Sequence, residues 1–380
     1  MRVTGVRTTI VSMPFTEVEH HSMGYDDMAT EVIVQVDTDE GIIGIGEALA
    51  TFCPEAVDVA IKHLARFIVG YSPHDIESFY DRAFQGRWQY FRHFGHTAFA
   101  GIEIALWDII GKAANQPVHR LMGGAFRDRV DHYCWIQRKD PALREEEARR
   151  GREAGFTVFY TKVGIDMRSD LEAVAALRSG AGQDALLRVD ANAVWTPAQA
   201  VRMIRELDKF GMDFVEQPIV ILDVDGLIHI REVTGVSICI DQAAWTQWDI
   251  ATVVRRQAAD VVCAEPARCG GLLEFKKACA VADLANVQIC RHVGPELGIM
   301  SAAALQVCAT ARNLVLGNQT WVPLLPDDII NEDLRTFTNG TLPVPTRPGL
   351  GVTINEEKLA AYAELYARSQ QSSSGAYRKV

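Results

Sequence analysis

No stretch of this chain is apolar for long enough to cross a bilayer. Even its most hydrophobic segment, AFAGIEIALWDIIG, is interrupted by Glu103 and Asp108, whereas a spanning helix needs about 20 predominantly apolar residues. The N-terminal MRVTGVRTTIVSMPF alternates like a strand and lacks the apolar core and small-residue cleavage site of a secretion signal. A long basic block is missing too, and with a net charge of −11 the chain is not expected to bind nucleic acid. None of the eight cysteines forms a CxxC pair, and several sit in apolar runs such as SICI and VQIC. Common zinc and redox motifs are thereby excluded, and buried thiols in a reducing cytoplasm are expected.

What is present is a chain of 380 residues, 48% of them apolar, whose length suggests two domains, one of them able to be a barrel of roughly 200 to 250 residues. In residues 1–125, MRVTGVRTTIV, EVIVQVDTD and GIIGIGEA alternate as three strands, with Asp39-Glu40-Gly41 as a turn between the last two. Helical periodicity follows in three blocks, the last placing Ile102, Ala105, Leu106 and Ile109 on one face. Strands and helices in separate blocks predict an α+β domain ending near Gly123-Gly124. Residues 126–330 switch to alternation of strand and helix. Eight strand-like runs (DHYCWI, FTVFYTKVG, LLRVDAN, FVEQP, SICIDQ, DVVCAEP, VQICRH and NLVLGN) predict a parallel α/β barrel. Residues 331–380 are turn-rich, with one helix from about Glu356 to Arg368 and a polar tail.

A regular beat runs through the barrel segment. Lys162, Asp190, Glu216, Asp241, Glu265 and His292 each end a short apolar run, separated by 28, 26, 25, 24 and 27 positions. That spacing is one strand plus one returning helix, so the six side chains should meet at the C-terminal mouth, where barrel enzymes carry their chemistry. Alternation puts Tyr160 on the same side as Lys162, and Arg188, Asp190 and Asn192 on one face. Three carboxylates gathered from consecutive strands repel one another unless a cation joins them, and an all-oxygen set suits a hard ion such as Mg2+. The alternative is ion pairing to Arg188, Arg268 and Arg291. Glu265 is placed to bond one ring nitrogen of His292 and leave the other free to move a proton. These residues indicate a metal-dependent barrel enzyme with a lysine on one side and a histidine on the other.

The chain also resembles the enolase superfamily, in its mandelate racemase and muconate lactonizing enzyme branch. The resemblance rests on AGIEIALWDIIGKAANQPVHRLMGG, TKVG, VDANAVW, VEQP, the Gly270-Gly271 pair and PGLGV, in that order, and it covers nearly the whole chain. It implies a modified TIM barrel, (β/α)7β, beneath an N-terminal α+β capping domain that the C-terminal segment completes. It also implies removal of the proton next to a carboxylate, with one Mg2+ per subunit. Asp190, Glu216 and Asp241 would be the metal ligands, Lys162 the second lysine of a Lys-x-Lys motif, and Glu265 with His292 a dyad in which Glu replaces Asp.

Three departures stand out: Tyr160 where the first lysine is usual, Gln242 after Asp241 at the third ligand, and Gly317 where a donor glutamate is common. Arg291 is the candidate replacement donor. His20, His21 and Tyr25, in the expected loop TEVEHHSMGYDD, are candidates to touch the far end of the substrate, together with Tyr160, Asn192 and Gln242 nearer the centre. The expected partner is a small carboxylate, in a homo-oligomer. Dehydration of an acid sugar or related hydroxycarboxylate ranks first, racemisation or epimerisation second and cycloisomerisation third. A non-catalytic relative is the remaining alternative.

Overall fold

The alternating N-terminal residues build an antiparallel sheet of β1 (Val3–His21), β2 (Gly24–Thr38) and β3 (Ile43–Leu49). The computed structural model describes residues 1–372 apart from Met23, Thr51, Phe52, Gly86 and Arg138, so most of the polar tail lies outside the described residues. Helices α1 (Pro54–Leu64), α2 (Ile76–Phe84) and α3 (Arg92–Ala113) bury their apolar faces against this sheet. The expected loop TEVEHHSMGYDD is instead an extension of the β1–β2 hairpin, with Glu19 opposite Asp26, His20 opposite Tyr25 and His21 opposite Gly24. A register shift between Pro14 and Glu19 interrupts the ladder, an irregularity of the kind that bends a strand.

After β4 (Arg129–Asp131) come the parallel strands β5 (Cys134–Trp135), β6 (Val158–Lys162), β7 (Leu186–Asp190), β8 (Met212–Glu216), β9 (Ile238–Ile240), β10 (Val261–Ala264) and β11 (Gln288–Arg291). These seven lie side by side in chain order. The eighth run, NLVLGN, supplies bridges rather than a full strand: Leu314 bridges Ile289 of β11, and Asn318 bridges His132 just before β5. Outer helices return the chain between strands, several begun by side-chain caps on orphan N–H groups, such as Thr196 and Thr246 in capping boxes. Further on, β12 (Thr341–Pro343) pairs with β4, and the helix Glu356–Ser372, longer than its periodicity suggests, packs on β1. No helix among the described residues is long and apolar enough to cross a membrane.

Buried carboxylates fasten the N-terminal sheet and helices to the barrel. Glu103 of α3 accepts hydrogen bonds from the backbone N–H groups of Leu272 (2.8 Å) and Leu273 (3.0 Å) and from Trp107 Nε1 (2.7 Å). It thus caps the helix Leu272–Leu284 from another domain by satisfying two of its orphan N–H groups, while burial raises its own pKa to about 7. Glu47 of β3 likewise caps the helix Gly298–Cys308, accepting from Leu297 (2.6 Å) and Met300 (2.9 Å). The approach of Glu103 explains Gly271: its φ is +109°, and a Cβ there would lie 2.3 Å from the carboxylate.

The cysteines form no disulfide among the described residues, and six are buried; Cys53 is exposed, contrary to the expectation from composition. His96 and His132 are both buried, and burial lowers each imidazole to about 3.

Glu103→Ala should strand two helix N–H groups and cost about 2 kcal/mol or more, measured by urea unfolding. A pH dependence follows from the histidines. The unfolded chain protonates them below their ordinary value near 6.5 while the folded chain does not, so their stabilisation is complete above that pH and is lost as pH falls toward 3. At pH 5.5 each should contribute about 1.4 kcal/mol less than on the neutral plateau. The decline should be shallower in His132→Gln than in the parent when urea midpoints are compared from pH 7.5 to 5.5.

Candidate active site

Parallel register sets Lys162, Asp190 and Glu216 side by side at the ends of β6, β7 and β8. Asp241, Glu265 and His292 follow the ends of β9, β10 and β11. A cavity of about 490 Å³ lies over this mouth, roofed by the β1–β2 hairpin and the start of α3. Lys162, Asn192, Asp241, Gln242, Glu265 and His292 line it, while Asp190 and Glu216 lie buried beneath.

Asp190 is the most heavily bonded of the carboxylates. Its Oδ2 accepts from Lys162 Nζ (2.8 Å), Tyr160 OH (2.9 Å) and Asn192 Nδ2 (2.8 Å), and its Oδ1 from the Asn192 backbone N–H (2.6 Å). Tyr160 is fully enclosed and stacked on Tyr133 at 4.5 Å. It does not reach the cavity as a substrate contact; it holds Asp190 by a neutral hydrogen bond where a lysine would have brought charge. Burial by itself would lower the Lys162 pKa, but Asp190, Glu19 and Glu216 outweigh it and raise it above the ordinary lysine range. For Glu216 burial, then Asp190 and Asp241, push the pKa well above the carboxylate range.

On the other side, Glu265 Oε2 meets His292 Nδ1 at 2.5 Å. This leaves Nε2, 3.3 Å from Asp241 Oδ2, as the ring nitrogen that can face a substrate. Burial opposes the charge on Glu265, but Arg268 and His292 outweigh it and hold the carboxyl at about 2. Arg268 is the cation that the motif reading left as an alternative partner. It donates from Nε to Glu265 (2.9 Å) and from Nη2 to Asp241 (2.5 Å), and it lines the cavity. Its only sequence signal is its place three residues after Glu265, one turn on in the short helix Pro266–Cys269.

The other two arginines do not serve the carboxylate ring. Arg188 lies inside the barrel, donating to Asp213 (2.7 Å) and to the carbonyls of Leu316 (2.6 Å) and Gly317 (2.5 Å). Arg291 pairs with buried Glu296 and donates to the Gln319 carbonyl (2.8 Å), so its expected role as substrate donor is corrected: it does not line the cavity. Gln319 does, with Nε2 3.4 Å from both Glu216 oxygens. Gly317 cannot carry a side chain here, since φ is +68° and a Cβ would come within 2.6 Å of Val158.

At the roof, strand alternation separates the expected contacts. His21 lines the cavity, whereas His20 is exposed and Tyr25 is 44% exposed, both outside the lining. Glu19 and Asp26, which motif reading passed over, line it beside His21.

The donors suit a hard divalent cation. Asp241 Oδ2 and Asn192 Oδ1 are buried without a hydrogen-bond partner among the described residues, and Glu216, Asp241 and His292 present ligand atoms within 4.8 Å of one another. Asp190 is outside that group, being committed to Lys162, Tyr160 and Asn192. Carboxylate and amide oxygens of this kind are magnesium ligands by chemistry.

Comparison with known proteins agrees with the architecture. Residues 4–123 match the family model for the mandelate racemase/muconate lactonizing enzyme N-terminal domain, and residues 143–358 the enolase C-terminal domain-like model. The chain is 30% identical to N-succinyl-L-Arg/Lys racemase of Bacillus cereus, over 94% of this chain and 97% of that protein. It is 31% identical to arabinonate dehydratase of Saccharolobus solfataricus, over 87% of this chain and 90% of that protein. The crystal structure of the Bacillus cereus racemase superposes with a TM-score of 0.89 at 28% identity, covering 95% of this chain and 98% of that one. The chain belongs to the enolase superfamily, in its mandelate racemase and muconate lactonizing enzyme branch.

Proposed function

We propose that the protein is a Mg2+-dependent enzyme that removes the proton next to a substrate carboxylate and dehydrates an acid sugar or related hydroxycarboxylate. The observation that carries this reading is the pair of proton-transfer groups, Lys162 and His292, facing one cavity from β6 and the end of β11 with buried carboxylates between them. Glu216 and Asp241 would hold the ion, joined by Asp190 when one of its hydrogen bonds gives way; when bound, the ion supplies fixed positive charge for the negative charge that develops on the substrate carboxylate. His292 takes the proton through Nε2, because Glu265 holds Nδ1 and sets the ring. Lys162, kept as an ammonium by Asp190, donates to the departing hydroxyl. Arg268 keeps Glu265 ionised so that it continues to orient His292. The arabinonate dehydratase relative supports the choice of dehydration.

Racemisation or epimerisation is the second reading, favoured by the same pair, since one group can remove the proton and the other return it to the opposite side. The racemase relative keeps it in view.

Incubation of acid sugars in D2O separates the two. Dehydration predicts a keto product. Deuterium next to the carboxylate of recovered substrate or its epimer, with no keto product, would sink it. His292→Asn should lower both exchange and product by about 10²–10⁴-fold, whereas Lys162→Ala should keep exchange and lose product. Chelation should abolish turnover and added Mg2+ restore it; turnover that survives chelation removes the metal from the reaction.

A further inference from the structure

The roof of the cavity holds a cluster that proton abstraction does not use. Glu19, His21 and Asp26 come from the paired ends of β1 and β2, and their ligand atoms lie within 4.8 Å of one another. His21 Nε2 stands 3.6 Å from Asp26 and 4.0 Å from Glu19. The Glu19 side chain is 2% exposed, yet its Oε1 has no hydrogen-bond partner among the described residues. A buried carboxylate oxygen without a donor is costly, and this one belongs to a residue lining the substrate cavity. Lys162, the larger of the two positive influences on Glu19, is already bonded to Asp190 at 2.8 Å.

We infer that Glu19, His21 and Asp26 form a distal subsite that accepts a hydrogen-bond-donating end of the substrate and excludes a second carboxylate. The inference rests on the proposed action at a carboxylate, which fixes one end of the substrate at the barrel mouth and points the other toward the roof. Burial, with Asp26 and Asp190 adding to it, raises the Glu19 pKa, so a pocket that already resists one negative charge disfavours a second carboxylate beside Asp26. Glu19 and Asp26 satisfy their lone pairs with hydroxyl or ammonium donors. The preferred substrate is therefore a monocarboxylate with a donor at its far end: an aldonate rather than the matching aldarate, or an ω-ammonium acid rather than the matching diacid.

The test uses the full-length, Mg2+-loaded protein and three matched pairs: gluconate with glucarate, galactonate with galactarate, and lysine with 2-aminoadipate. Binding is read by calorimetry and α-proton exchange in D2O. The wild type should prefer the donor-ended member of at least one pair by about 10-fold or more. Preference in the sugar pairs identifies hydroxyl as the donor, and preference in the amino acid pair identifies ammonium. Glu19→Gln and Asp26→Asn should each reduce that preference and improve binding of the diacid. Asp26 is the more exposed of the two, so its variant serves if Glu19→Gln does not fold by thermal melting. Preference for the diacids, an unchanged ratio in both variants, or no binding of any probe overturns the subsite. Selective binding without proton exchange overturns the proposed reaction and leaves the subsite standing; exchange without selectivity does the reverse.

Discussion

The arrangement of the mouth is governed by the crowding of negative charge at the ends of consecutive strands. Asp190, Glu216, Asp241 and Glu265 are all buried within one ring, and charges taken from water must be paired, hydrogen-bonded or neutralised. Lys162 answers this at Asp190, and Arg268 spans Asp241 and Glu265. Among the described residues Glu216 meets only long bonds from Gln319, and burial, then Asp190 and Asp241, raise its pKa, a crowding that a cation would relieve. The chemistry expected of the site follows from that crowding: the same field that holds Lys162 protonated also calls for a divalent ion.

A second constraint keeps the roof over the ring. Glu47 and Glu103 each leave their own domain to cap a barrel helix. These contacts bind the N-terminal sheet to the side of the barrel on which β10 and β11 end, so the hairpin carrying Glu19, His21 and Asp26 closes the cavity from above.

Much of this could be read from the chain. Alternation marked the first strands, and the 24- to 28-residue beat marked six side chains that do end neighbouring strands. The extended hairpin was misread as a loop because TEVEHHSMGYDD is polar on both faces, which hides a two-residue period from any hydrophobicity pattern. Arg268 was seen only as a rival ion-pair partner; that it joins Asp241 to Glu265 depends on a single helical turn after β10. Arg291 was the candidate donor because Gly317 leaves no side chain where a donor glutamate is common. Neighbouring residues on a strand point to opposite sides, and Arg291 turns to Glu296.

Period, spacing and desolvation are properties of the chain, so the barrel, the order of its strands and the residue types at their ends were legible without any knowledge of the fold. Which charges meet was settled by packing: Arg268 with two carboxylates, Tyr160 with Asp190, and a Glu19 Oε1 that finds no hydrogen-bond partner among the described residues. Those outcomes depend on side-chain direction and on contacts between segments far apart in the chain, which local patterns do not encode.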